Sequence, residues 1–177
     1  MLAFLSATAL PAGQLTNAIL SSFIRDDLCM GSDIFGMVDA AWAIGGMMGA
    51  ALLSNKIKKF TNEFDEYYIA ILAGVATIVL SFCTAFVSLA AAHFFMGFFV
   101  WLCRIIIAGR VIEQCDSENV GRTRLYMEVL FSVSAMFMAF SPTLIQLDAT
   151  ASYFLYWGIF IVISSALFLI WKKSRSH

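Results

Sequence analysis

The sequence predicts an all-α integral membrane protein: one domain, residues 1–177, of six transmembrane helices with both termini cytoplasmic. Composition is the first reason, with 61% hydrophobic and 13% charged residues against about 45–50% and about 25% in soluble domains. Length is the second. Six apolar segments, near residues 2–24, 34–53, 67–84, 88–108, 125–146 and 153–171, approach or reach the roughly 20 residues that cross a hydrocarbon core of about 30 Å. Charge placement is the third: Lys56, Lys58 and Lys59, then Arg110, Arg122 and Arg124, then Lys172, Lys173 and Arg175 follow the second, fourth and sixth segments. Basic loops mark the cytoplasmic side, so these three lie inside and an even number of spans returns the chain to the side where it began.

The first segment runs past Pro11 to Phe23 without a basic leader, which is longer than the apolar part of a signal peptide and reads as a span. Pro11 and Gly13 in its interior predict a kink. Gln14, Asn17 and Ser21 recur at helical spacing and share one face. Such a face either bonds neighbouring helices or lines a cavity that meets substrate. Arg25, Asp26, Asp27 and Asp33 bracket a net acidic loop that suits the outer side.

The second segment carries a single ionisable group, Asp39. Gly45/Gly49 and Gly46/Ala50 form small-xxx-small pairs, which allow close helix approach where lipid offers no hydrophobic drive. A carboxylate about 8 Å along the helix from the membrane edge is costly when charged and uncompensated. Asp39 therefore either bonds a neighbouring helix or serves as a proton-coupling site.

Residues 67–108 form an apolar run too long for one span and divide near Ser81 to Ser88. Tyr67 and Tyr68 suit an inner interfacial pair. In the fourth segment His93, Gly97, Trp101, Arg104 and Ala108 follow helical spacing, which puts His93 and Arg104 on a similar face about 17 Å apart along the axis. His93 is either a hydrogen-bonded imidazole or a proton-linked group. Arg104, near the inner edge, either snorkels or pairs with an acid, or it binds an anionic substrate group.

The stretch from Gly109 to Arg124 is the longest polar one and is expected to be a cytoplasmic loop. In the fifth segment Glu128 stands one turn after Arg124, where an ion pair or gate contact fits. The following loop carries Asp148 and no base, as an outer loop should. The sixth segment opens with Tyr153, Tyr156 and Trp157 and closes with Trp171 before its basic tail, the pattern of two interfacial belts.

Several function classes are excluded by what these residues lack. No basic run with interleaved aromatics supports nucleic-acid binding. Neither a serine elbow, paired histidines nor a phosphate loop supports an enzyme, and no cofactor is implied. Cys29, Cys83, Cys103 and Cys115 are far apart and contain no CxxC, so neither a disulfide framework nor a zinc site is suggested.

The run FGMVDAAWAIGGMMGAALL, the basic loop after it, and SENVGRTRLYMEVL with its acid-x-x-Gly-Arg pattern together resemble one half of a major facilitator superfamily transporter. The resemblance is nearest to the C-terminal half of efflux-type members and covers almost the whole chain. One departure lies at Ser54, Asn55, Lys56, Ile57, Lys58 and Lys59, where no Asp stands at the family's signature position.

The resemblance implies secondary transport by alternating access, with a site near the midplane between two halves. It implies proton-coupled efflux of a small amphiphilic molecule and a bacterial inner-membrane location. Gln14, Asn17, Ser21, His93, Trp101 and Arg104 are then the substrate or cavity residues, Asp39 the proton-coupling residue, and Arg124 and Glu128 the gating or ion-pair residues. Because this chain holds one such half, a second six-helix half is expected: a copy of itself, a separate chain, or the rest of a longer one. A non-transporting assembly subunit or a channel-forming oligomer is the alternative, which the glycine seam would serve equally well.

Overall fold

The computed structural model describes residues 2–56, 65–116, 118–145, 147 and 149–175, with residues 54–56 described by their backbone. Lys58, Lys59, the Lys56 side chain and Asp148, all used above to assign sides, lie outside the described residues. Among those residues the secondary structure is helical throughout: α1 (Leu2–Thr8), α2 (Ala12–Ser22), a π turn (Phe23–Asp27), α3 (Ser32–Lys56), α4 (Asp65–Leu80), α5 (Phe86–Gln114), α6 (Val120–Leu144) and α7 (Ala151–Arg175). The architecture is that of an all-α multi-pass membrane protein. Four described helices are long and apolar enough to cross a membrane: Ser32–Leu53, Phe86–Gln114, Val120–Leu144 and Ala151–Arg175.

The first rod is composite. Pro11 has no N–H to give the Ala7 carbonyl, so α1 stops at Thr8 and α2 restarts on the Pro11 carbonyl, which accepts from Gln14 N–H at 2.8 Å. The expected kink is thus a full break. At the other end of this rod the spacing loosens to a π turn, with Leu28 N–H bonded to Phe23 O at 3.1 Å. Cys29 then takes a left-handed conformation at φ 53°, which ends the rod. On this exposed turn Arg25 donates to Asp26 at 2.7 Å. That hydrogen bond holds the Asp26 carboxyl below its ordinary range and the Arg25 guanidinium above its own.

The long apolar run divides where expected. α4 unwinds through short turns at Ser81, Phe82 and Cys83, and α5 starts at Phe86. The polar stretch from Gly109 to Arg124 differs from expectation, since α5 continues to Gln114 and α6 begins at Val120. On the α5 side the charges support the extension: Arg110 reaches Glu113 one turn on, at 3.6 Å, and Glu66 on α4, at 3.8 Å. Residues paired this way favour continued helix over loop.

Packing couples the rods in a definite order. α3 lies along α5, α4 along α7, and α1 with α2 along α6, while α4 also touches α5. The α3–α5 seam is parallel and steps four residues at a time on each helix: Val38 meets His93, Trp42 meets Gly97, and Gly46 meets Trp101. Glycine is needed on both sides. A Cβ at Gly45 would strike the Phe94 carbonyl, one at Gly97 the Trp42 carbonyl, and one at Gly49 would sit 2.8 Å from the Phe98 carbonyl. The small-xxx-small pair predicted on the second span is therefore spent inside the unit.

Two buried clusters stack along the bundle. One, containing Leu5, Tyr67, Met96, Cys103 and Ile161, lies toward Glu66; the other, containing Leu15, Phe23, Leu80, Met138 and Phe154, lies toward Asp27. Outside, Phe137, Phe140, Ile163 and Leu167 are exposed, an apolar exterior of the kind that meets lipid rather than water. The Asp27 carboxylate accepts from Ala151 N–H at 3.3 Å and from Thr150 Oγ1 at 3.1 Å. An acid there complements the N-terminus of α7 and joins the first and fifth connections at one end of the bundle.

Candidate functional site

Between α1, α2, α5 and α6 lies a cleft of two adjoining cavities. The larger, about 250 Å³, is lined by Ser6 and Leu10 from the first rod, Trp101 and Arg104 from α5, and Arg124 and Glu128 from α6. The smaller, about 120 Å³, is lined by Leu10, Gln14, Asn17, Trp42, Trp101 and Arg104. Leu10, Trp101, Arg104 and Phe131 belong to both.

Local sequence explains why the polar groups converge. Gln14 and Asn17 share the exposed side of α2 because they are three residues apart, while Leu15 and Ile19 turn the opposite side into the core. Trp101 is held over Gly46, where a Cβ would collide with its indole. Three residues further on, Arg104 leaves the α3 seam and enters the cleft.

The Arg104 guanidinium is fixed from three directions. Its Cζ lies 5.6 Å from the Trp101 ring centroid and 5.5 Å from that of Phe131, both within the range of cation–π attraction. Its Nη2 donates to Glu128 Oε1 at 3.3 Å. Glu128 therefore pairs across helices with Arg104; Arg124, its neighbour in sequence, makes no ion pair among the described residues. Arg104 and Glu128 are close to half exposed, at 41% and 48%, so the pair faces the opening of the cleft.

The remaining sequence-derived candidates stand apart from the cleft lining. Ser21 is exposed on α2, one turn beyond Asn17. Asp39 is exposed on α3, one turn before Trp42 and on the same side of that helix, and makes no hydrogen bond or ion pair among the described residues. His93 is buried in the α3–α5 seam. Its Nδ1 bonds the Val38 carbonyl at 2.9 Å, which requires the proton on Nδ1 because a carbonyl only accepts. Trp42 packs on the imidazole with ring centroids 5.3 Å apart, and Nε2 is buried without a partner.

A second charged group was missed by sequence reasoning. Glu66, 1% exposed, lies 3.5 Å from Lys172 Nζ and 3.8 Å from Arg110 Nε, beside a cavity of about 370 Å³ also lined by Tyr67 and Cys115. Lys172 Nζ sits 5.3 Å over the Tyr67 ring. The available signal was a carboxylate immediately before an apolar run. Its partners, far along the chain, could not be read from that signal. Among the described residues no group of His, Cys, Asp and Glu is arranged to hold a metal ion. No protein-family model matches the chain, and no curated protein matches it.

Proposed function

We propose that this chain is a six-helix half-unit of a secondary transporter of the major facilitator type, both termini cytoplasmic, working by alternating access after pairing with a second half. The observation that carries the reading is the packing order. Counting α1 with α2 as the first rod, the pairings are first with fifth, second with fourth, and third with sixth. Exchanging the first three rods for the last three reproduces these three pairings, while the further packing of α4 on α5 has only a slight counterpart between the first rod and α7. A shift of three in an up-and-down bundle reverses each rod, which is the inverted repeat nested within transporter halves of this type.

Two further observations support it. Gln14, Asn17 and Ser21 turn outward, as do Asp39 and Ser132, on a unit that elsewhere exposes large apolar side chains such as Phe137, Phe140, Ile163 and Leu167, and polar groups within spans face a cavity or a partner rather than lipid. The glycine seam that would suit a channel oligomer is occupied by α5 within the chain. In this reading the Asp27 end is outer and the Glu66 end inner, the cleft opens inward, and the location is a bacterial inner membrane. Substrate is a small amphiphile exported against proton entry, with Asp39 as the proton-carrying group beside the cleft wall.

The test has two parts. In detergent, the purified assembly should contain two six-helix halves; a lone 19.5 kDa chain that moves nothing after reconstitution refutes the reading. In liposomes, substrate flux should follow an imposed pH gradient, and Asp39→Asn should abolish that dependence. Flux indifferent to both removes the proton coupling.

A further inference from the structure

The transporter reading leaves the chemistry of the cargo open, and the cleft carries more information on that point. Building on that reading, we propose that the cleft binds a small amphiphile bearing a carboxylate, which displaces Glu128 from Arg104.

Charge inventory gives the sign. The larger cavity is lined by Arg104 and Arg124 against Glu128 alone, so its lining carries one positive charge in excess. Arg124 has no ion-pair partner among the described residues, and Arg104 uses one N–H on Glu128 of the five that a guanidinium offers. That single contact at 3.3 Å is longer than the roughly 2.7–2.9 Å of a strong charged hydrogen bond. A free carboxylate approaching the guanidinium fork can make the two-pronged contact that Glu128 does not.

Anchoring decides which partner gives way. Arg104 is held over Trp101 and Phe131, so a cationic ligand taking Glu128 would have to compete with a base fixed by two rings. The Glu128 carboxylate is tied only to Arg104 among the described residues. An anionic ligand replaces it without disturbing the rings. The apolar remainder fits the wall formed by Ile107, Val111, Met127 and Phe131. Cavities of about 250 and 120 Å³ together reach the lower end of ordinary ligand sites, roughly 300–1,000 Å³, which suits one ring and a short chain.

The phosphodiester of an anionic lipid would also offer an anion to Arg104, and the experiment separates it from a carboxylate amphiphile in solution. Full-length protein in nanodiscs of neutral phosphatidylcholine is titrated with 4-(4-bromophenyl)butyrate, whose bromine quenches tryptophan, and with the corresponding neutral amide. The carboxylate should bind at least about tenfold more tightly than the amide, the worth of one charged hydrogen bond. Glu128→Gln should tighten carboxylate binding and leave the amide unchanged, while Arg104→Gln should remove the difference between the two. Equal affinity for carboxylate and amide in the wild type overturns the inference, as does weaker carboxylate binding by Glu128→Gln. Preference for 4-(4-bromophenyl)butylammonium overturns it as well.

The wild-type comparison requires no variant to fold. Adding phosphatidylglycerol to the discs should leave probe binding through Arg104 unchanged; loss of that binding means that a lipid phosphodiester takes the site and overturns the carboxylate inference. Protein that binds the carboxylate in nanodiscs yet moves none across liposomes keeps this inference and removes the transport reading.

Discussion

Replacing Glu66 with Gln should be among the most destabilising single changes of charge in this chain. The carboxylate is 1% exposed, while Lys172 and Arg110 beside it are 23% and 15% exposed, so removing its charge takes a buried counter-charge from both, although Arg110 keeps Glu113 at 3.6 Å. Breaking a buried pair of this kind costs about 3–5 kcal/mol. The contacts at 3.5 and 3.8 Å are long and not bidentate, and Gln keeps an acceptor for Lys172. These factors place the expected loss near the lower end, about 3 kcal/mol. Lys172→Met should cost less, because Glu66 retains Arg110, and the double variant should lose less than the two singles summed, with a coupling of about 1–2 kcal/mol. The measurement is unfolding by sodium dodecyl sulfate from neutral detergent micelles, followed by helical circular dichroism. A Glu66→Gln variant within about 0.5 kcal/mol of wild type, the scatter of an ordinary surface change, would show that the buried cluster contributes nothing to folding.

Three other substitutions probe separate features. Gly97→Ala drives a methyl into the Trp42 carbonyl and forces α3 from α5, so stability in the same assay should fall by about 1–3 kcal/mol, as for other overpacked interiors. Tyr153→Phe removes the hydroxyl that donates to the Ile145 carbonyl and accepts from Leu147 N–H at 3.0 Å; a loss of about 1–3 kcal/mol should follow from the stranded backbone groups, and an unchanged midpoint would mean that water replaces it. Cys29→Gly relieves a left-handed backbone at φ 53° on an exposed turn and should stabilise by about 1 kcal/mol, readable as a raised thermal midpoint.

Much of the helical framework was legible because its signals are local. A proline cannot donate, so an interruption at Pro11 was legible from one residue, although Pro142 sits within α6, which continues to Leu144. The division near Ser81 follows from length, and the outward face of α2 follows from the spacing of Gln14, Asn17 and Ser21. The glycine seam was legible as a place for close packing, but its occupant was not. Any helix can approach Gly45 and Gly49, and only the register joining His93, Gly97 and Trp101 to Val38, Trp42 and Gly46 identifies α5 as the neighbour.

That register also explains why His93 and Arg104, on a similar face, part company: α3 covers the face at His93, and Arg104 lies beyond the contact at Trp101. Glu66 and the Tyr153 hydroxyl were illegible for a related reason. Each acts through partners supplied by folding, Glu66 across 106 residues to Lys172, and nothing in the adjacent sequence distinguishes such a group from an interfacial acid or an aromatic belt.

The interruption at Pro11 has a mechanical side. α5, on the opposite wall of the cleft, runs unbroken over 29 residues, whereas the first rod is divided into α1 and α2. The joint falls between the two cavities: Ser6, on the α1 side, lines only the larger, Gln14 and Asn17, on the α2 side, only the smaller, and Leu10 within the joint touches both. A bend confined to this joint would tilt the wall of one chamber and leave the other's in place, so that two connected volumes could change out of step within a single bundle.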